Sequence, residues 1–162
     1  CREMMEALRS ERAALQQRLL LALQAMRDQP EVDATSVAAI GYCFGGLCAL
    51  DIARTGEPLA GVVSFHGLFD PPGNTADNRI AARVLALHGW DDPLATPEQA
   101  VAFGEELSSM GADWQLHCYG NVRHAFTNPA ADASTGVTIY NEAADRRSWA
   151  AAQYFLSELF DT

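Results

Sequence analysis

The chain has 162 residues, 49% of them hydrophobic, and a formal net charge of −10. This length and apolar content suffice for a sizeable core, so we predict one soluble domain over residues 1–162. The negative charge argues against a nucleic-acid partner, because such proteins neutralise phosphates with basic side chains. No apolar run approaches the roughly 18 residues of a membrane span, and the first residues lack the pattern of a secretion signal.

The spacing of the cysteines and histidines indicates neither a disulfide framework nor a metal site. The four cysteines are Cys1, Cys43, Cys48 and Cys118, and no two histidines are spaced as in His-X-His or His-Glu-X-X-His. We therefore predict a metal-independent protein without a cofactor in a reducing, cytoplasmic setting.

Taken in order, the chain alternates between helical and strand patterns. Residues 2 to about 27 have an apolar stripe at spacings of three, four and seven, which predicts one long helix. Predicted strands follow at 37–40, 60–65, 84–87 and 114–119, and predicted helices at 47–53, about 97–110 and about 141–160. This alternation predicts an α/β fold with a mostly parallel sheet covered by helices on both faces.

The stretch from Gly41 to Gly46 has the layout of a nucleophile elbow. A short apolar strand precedes it, a helical pattern follows it, and Cys43 occupies the position that usually holds serine. The turn requires small residues two before and two after the nucleophile, here Gly41 and Gly45, while Gly46 allows the helix to pack close to the strand. On its own Cys43 could be a buried apolar residue, but this context favours a nucleophile. The backbone N–H of Phe44 is then a predicted oxyanion donor.

An acid and a histidine follow the elbow in the chain order of a catalytic triad. Cys43, the pair Asp91 and Asp92, and His124 each come just after a predicted strand, so they should meet at the carboxyl edge of the sheet. A histidine lowers the pKa of a thiol, and a carboxylate orients the histidine. Asp91 and Asp92 compete for the acid role, and the Gly-X-X-Asp spacing from Gly89 favours Asp92.

Further side chains close to these motifs are candidates for a substrate pocket. Tyr42, Phe65, Trp90 and Phe126 could shape an apolar pocket, although each could equally belong to the core. His66 ends a strand and is a candidate for substrate contact, whereas Cys48, one turn into the elbow helix, is predicted to pack in the core.

Four ordered motifs resemble the dienelactone hydrolase family of the α/β-hydrolase fold. They are Gly41-Tyr42-Cys43-Phe44-Gly45-Gly46, Ser64-Phe65-His66-Gly67, His88-Gly89-Trp90-Asp91-Asp92-Pro93 and His124-Ala125-Phe126. The resemblance implies Cys43 as nucleophile, Asp92 as orienting acid and His124 as base. It also implies that sheet strands precede the first helix, so we expect this chain to be the C-terminal two-thirds of the domain. A second oxyanion donor and a carboxylate that activates the thiol would then lie in the preceding part.

The chain departs from the family in the residues that bind substrate. The family binds the carboxylate of its substrate with arginines, one of them shortly after the catalytic histidine. Asn128 stands at that place here, and Arg123 is the nearest arginine that could substitute. We therefore expect neutral activated esters, such as aryl esters, in preference to a dienelactone.

These observations predict an ester or lactone hydrolase with a Cys-His-Asp triad and an acyl-thioester intermediate. A promiscuous arylesterase and phosphotriesterase with the same triad is a second hypothesis, since some dienelactone-hydrolase-like proteins resemble this chain and act on phosphotriesters. The sequence is also compatible with a catalytically silent relative that binds a ligand, and with a thiol-based redox or transferase role. The expected partner is a small-molecule ester, lactone or phosphotriester, and the oligomeric state stays open.

Overall fold

The computed structural model describes residues 2–160 as a parallel sheet with helices on both faces. The strands are β1 (Ala38–Tyr42), β2 (Gly61–Phe65), β3 (Arg83–Gly89) and β4 (Trp114–Tyr119). The helices are α1 (Arg2–Ser10), α2 (Arg12–Arg27), α3 (Phe44–Arg54), α4 (Pro97–Ser109) and α5 (Glu142–Phe160), with a short 3-10 turn at Ala133–Thr135. Each predicted strand and helix is therefore present, apart from a break within the first helical segment, and the parallel α/β arrangement is confirmed.

The four strands pair in chain order. Because every pair is parallel, the carboxyl ends of all four strands lie at one edge of the sheet. Tyr42 of β1 lies beside Phe65 of β2, and Phe65 lies beside Leu87 of β3. Gly89 at the end of β3 lies beside Tyr119 at the end of β4. The loops that follow these strands therefore start close together, as the site requires.

Alternate residues of the central strands pack against helices on opposite faces. Val62 and Val84 belong to a core with residues of α2, α3 and α4, whereas Val63 and Leu85 pack with residues of α5. Because both faces are covered, β2 is buried along its whole length. Within residues 2–160, no helix combines the length and apolar character needed to cross a membrane.

The first helical segment is two helices, where the sequence predicts one. Glu11 separates α1 from α2, with φ −111° and ψ 60°. Directly after this break, Arg12 forms two hydrogen bonds with the buried carboxylate of Asp51, at 2.7 and 2.5 Å. Arg54 likewise donates two hydrogen bonds to the carboxylate of Glu106 in α4, at 2.8 and 2.7 Å. This buried ion network joins α2, α3 and α4, and no local pattern in the sequence indicates it.

Candidate active site

Cys43 lies in the turn between β1 and α3 with a left-handed backbone, φ 53° and ψ −117°. Such a conformation is strained for a residue other than glycine and is typical of functional sites. A Cβ on Gly41 would lie 1.9 Å from the carbonyl oxygen of Gly45, and one on Gly46 would lie 2.9 Å from the Cα of Gly67. A Cβ on Gly45 would meet nothing within 4 Å among the described residues. The elbow therefore requires glycine at positions 41 and 46, and the predicted steric need at position 45 is wrong.

A line of hydrogen bonds joins Cys43, His124 and Asp92. The Nε2 atom of His124 lies 3.1 Å from the Sγ atom of Cys43, and its Nδ1 atom lies 2.7 Å from the Oδ2 atom of Asp92. The other carboxylate oxygen of Asp92 accepts a hydrogen bond from the backbone N–H of Leu94 at 2.8 Å. Asp92 and His124 are 1% and 2% exposed, whereas Asp91 is exposed to solvent. Of the two competing acids, the fold thus brings Asp92 to the histidine.

The pKa values of this group favour a thiolate–imidazolium pair. The hydrogen bond from His124 lowers the pKa of Cys43, against burial, which raises it. A hydrogen bond from the backbone of Phe44 lowers the pKa of Cys43 further, and the first turn of α3 adds its dipole. Burial lowers the pKa of His124, but the hydrogen bonds and charges of Asp92 and Cys43 outweigh it and raise the pKa to about 9.

A cavity of about 570 Å³ opens over the thiol. Of the predicted pocket residues, Tyr42 and His66 line it. The Tyr42 ring stacks on Phe65, with centroids 4.4 Å apart, and the side chain remains 44% exposed. Tyr42 therefore forms an aromatic wall of the cavity.

His66 is a second imidazole in this cavity and is neutral. Its Nε2 atom lies 2.8 Å from the hydroxyl oxygen of Thr127, and its ring meets that of His124 edge-on at 5.1 Å. Burial and then the charge of His124 lower the pKa of His66 to about 4. His66 therefore contributes a polar, uncharged surface near the thiol at neutral pH.

Trp90 and Phe126 do not line this cavity, in contrast to the prediction. Trp90 lies in a separate groove with residues of α4 and β4. Phe126 is fully buried and packs edge-on beneath His66, with ring centroids 5.2 Å apart. Phe126 thus supports the cavity from within the core. Cys48 packs half-buried against an apolar cluster, as predicted.

Several residues that line the cavity were not singled out by the sequence. Ala125, Thr127 and Pro129 follow His124 closely, so their position in the chain could have indicated them. Thr138 and Asp145 come from a later loop and from α5. Within residues 2–160, no three His, Cys, Asp or Glu side chains are grouped so as to hold a metal ion.

Comparisons with known proteins and solved structures found relatives of this chain. Residues 1–160 match the model of the dienelactone hydrolase family. An uncharacterized protein of Caenorhabditis elegans, K02A2.1, is 36% identical over 90% of this chain and 94% of its own length. The esterase YpfH of Escherichia coli K12 is 32% identical over 62% of this chain and 43% of its own. The crystal structure of the dienelactone hydrolase-like promiscuous phosphotriesterase P91 from metagenomic libraries superposes with a TM-score of 0.88, at 41% identity and over 97% of this chain.

The extent of these matches differs among the relatives. The chain spans nearly the whole worm protein, but only 66% of the P91 chain and 43% of YpfH. The matched region holds the sheet and helices described above, in the arrangement of an α/β-hydrolase. The chain therefore belongs to the dienelactone hydrolase family.

Proposed function

We propose that this protein is a hydrolase that cleaves carboxylic esters or lactones of small molecules through Cys43, His124 and Asp92. The observation that carries the proposal is the unbroken line of hydrogen bonds from Asp92 through His124 to Cys43, at 2.7 and 3.1 Å. Nucleophile, base and orienting acid are the three groups that acyl transfer requires in such contact.

In the proposed cycle the Cys43 thiolate attacks the carbonyl carbon of the ester. The carbonyl electrons move to oxygen, and the backbone N–H of Phe44 stabilises this oxyanion. When the tetrahedral intermediate collapses, the alkoxide leaves and takes a proton from the Nε2 atom of His124. The product at this stage is an acyl-thioester on Cys43.

Water completes the cycle with the same groups. Neutral His124 removes a proton from a water molecule, which attacks the thioester carbonyl. Collapse of the second intermediate releases the acid and restores the thiolate–imidazolium pair. Asp92 holds the Nδ1–H tautomer and stabilises the imidazolium throughout. All protons and electron pairs come from the triad, the substrate and water, so the proposal needs no metal or cofactor. A free thiolate persists in a reducing compartment, which favours the cytoplasm.

A second candidate is phosphotriester hydrolysis at the same site. P91, which is 41% identical to this chain, is described as a promiscuous phosphotriesterase. A thiolate can attack phosphorus and displace an aryloxide in the same manner as it attacks a carbonyl carbon. We place this activity beside the ester hydrolysis, as a side reaction of one nucleophile.

The test is intact-mass analysis of the full-length protein, quenched within seconds of mixing with 4-nitrophenyl acetate. We expect an added acetyl mass in the parent and in a Cys118→Ala control, whose exposed cysteine lies outside the cavity. We expect no adduct and a loss of turnover of at least a hundredfold in Cys43→Ala. Equal turnover in the parent and Cys43→Ala would refute the triad. Stoichiometric binding of the ester without turnover in any variant would favour the silent ligand-binding relative.

A further inference from the structure

The cavity over Cys43 has one charged side chain outside the triad, and it is acidic. Asp145 of α5 lines the cavity together with Tyr42, and no Arg or Lys is among the described lining residues. The triad in its thiolate–imidazolium form carries two negative charges and one positive charge. With Asp145 ionised, the cavity and triad together therefore have a net negative charge.

Neither of the two groups that could bind a substrate carboxylate brings a positive charge to the cavity. Arg123 donates a hydrogen bond from its Nη1 atom to the carbonyl oxygen of Gly136 and does not line the cavity. Asn128 does line it, but with an uncharged amide, whose Oδ1 atom accepts a hydrogen bond from the backbone N–H of Ala130 at 3.0 Å. Arg123 therefore does not replace the substrate-binding arginine that the family has where this chain has Asn128.

Asp145 retains its charge for a ligand. Its Oδ2 atom accepts one hydrogen bond, from the hydroxyl of Tyr140 at 3.2 Å. Among the described side chains of residues 3–160, no ion pair joins Asp145 to a basic group. Arg147, two residues further along α5, affects Tyr119: burial raises the pKa of Tyr119, and the charge of Arg147 partly lowers it again.

Tyr42 provides the second element of a cation site. Burial, and then the charge of Asp145, raise the pKa of Tyr42, which indicates that the carboxylate is close to this phenol. An ammonium group is attracted both by a carboxylate and by the face of an aromatic ring. A carboxylate-bearing substrate would meet repulsion from Asp145 and from the net charge of −10.

We propose that Asp145 determines the charge selectivity of this site, so that it prefers esters carrying an ammonium group and rejects esters carrying a carboxylate. Asp145 is a specificity-determining residue in this proposal and takes no part in bond making. The substrate class rests on the hydrolase function proposed above, whereas the charge preference of the cavity does not.

The first experiment measures the charge preference without turnover. Two methanethiosulfonate reagents, one with a trimethylammonium-ethyl group and one with a sulfonatoethyl group, are reacted with Cys43, and the rates are followed by peptide mass. A small free thiol gives the intrinsic ratio of the two reagents. We expect the parent to favour the cationic reagent at least tenfold beyond that ratio. Asp145→Asn should reduce this preference about tenfold, because losing one part-exposed charge changes the two rates by about threefold in opposite directions.

The matched control is Glu158→Gln, which removes one charge from the same helix. Glu158 is exposed and lies 13 residues further along α5, or about 20 Å at 1.5 Å per residue. This separation exceeds the screening length at physiological salt, so the control should keep the preference of the parent. A parent ratio equal to that of the free thiol, or equal ratios in Asp145→Asn and Glu158→Gln, would overturn the proposal.

The second experiment compares two esters of the same shape. Acetylthiocholine and its neutral isostere 3,3-dimethylbutyl thioacetate differ in charge, and the ratio of their kcat/KM values should fall about threefold in Asp145→Asn. An unchanged ratio would overturn the role of Asp145 in substrate choice. Failure of every variant to hydrolyse either ester, with the reagent preference still dependent on Asp145, would refute the hydrolase function and its substrate class while leaving the cation site in place.

Discussion

Replacing Asp92 with asparagine removes one buried negative charge from the triad and keeps the size of the side chain. In the parent, the Oδ2 atom of Asp92 lies 2.7 Å from the Nδ1 atom of His124 and helps to raise the pKa of that imidazole to about 9. Without the charge, His124 loses protons more readily and no longer stabilises the Cys43 thiolate. The charge of Asp92 also raises the pKa of Cys43 directly, but this effect is smaller than the hydrogen bond from His124, which is the largest influence on the thiol. We therefore expect the variant to hold less thiolate at neutral pH.

Two quantities give the expected loss of thiolate in Asp92→Asn. A hydrogen bond to a charged group is worth about 1.5–3 kcal/mol, which corresponds to a change of roughly tenfold to a hundredfold in the population of the ion pair. A thiol with an ordinary pKa of about 8.5 is about 3% ionised at pH 7, so a fully ionised thiol that reverts to this ordinary value loses about thirtyfold of its thiolate. We expect the reaction of Cys43 with iodoacetamide to slow about tenfold at pH 7.

The assay is the alkylation rate of Cys43 between pH 5 and pH 10, followed by peptide mass. Because the pKa of Cys43 is lowered, its thiolate is present above that lowered value, and the parent should retain its reactivity at a pH where an ordinary thiol has lost it. The Asp92→Asn profile should move to higher pH and meet the parent above about pH 9.5. Cys48 serves as a slow internal reference, because burial, and then the charge of Asp51, raise its pKa to about 11.

The control is Asp91→Asn, which removes the neighbouring charge at an exposed position. Its profile should match that of the parent, and circular dichroism of both variants shows whether the fold is retained. Faster alkylation in Asp92→Asn would show that direct repulsion between the carboxylate and the thiolate dominates, contrary to our reasoning. An equal shift in the Asp91 and Asp92 variants would refute the assignment of the acid.

Three further predictions concern the fold that holds the site. Gly41→Ala should abolish turnover and folded yield, because the added Cβ overlaps the backbone, whereas Gly45→Ala should leave melting temperature and activity close to those of the parent. Arg54→Met should lower the free energy of unfolding in urea by about 3–5 kcal/mol, because it leaves the partly buried carboxylate of Glu106 and the buried carbonyl of Phe69 without their partner; a loss below about 1 kcal/mol would contradict this. His88 is fully buried, and burial lowers its pKa to about 4. The unfolded protein protonates His88 below about pH 6.5, whereas the folded protein does so only below about pH 4. The free energy of unfolding should therefore fall as the pH is lowered from about 6.5 to about 4. His88→Leu should remove a part of this loss on the order of 1–3 kcal/mol, and identical pH profiles would refute the assignment.

Local patterns carry the parts of the site that lie on the chain itself. A strand, a turn with glycine at positions 41 and 46, and a helix can be recognised from neighbouring residues, because the turn has few backbone solutions. Asp92 and His124 were predictable in kind, because side chains that follow parallel strands meet at one edge of the sheet. Before the hydrogen bond to His124 was seen, the choice of Asp92 over Asp91 rested on a spacing and on the family resemblance.

By itself, then, the sequence determined the order of strands and helices apart from the break at Glu11, the parallel α/β class and three candidate reactive groups, since these depend on short-range periodicity and turn chemistry. The tertiary structure alone decided that Trp90 lies outside the cavity and Phe126 beneath it, and that Asp145 lines the cavity. It also decided the pairing of Arg54 with Glu106 across 52 positions. Each of these depends on which face of an element meets a distant part of the chain. That contact is set by the packing of the whole sheet and its helices. It cannot be inferred from the residues adjacent to each position in the sequence.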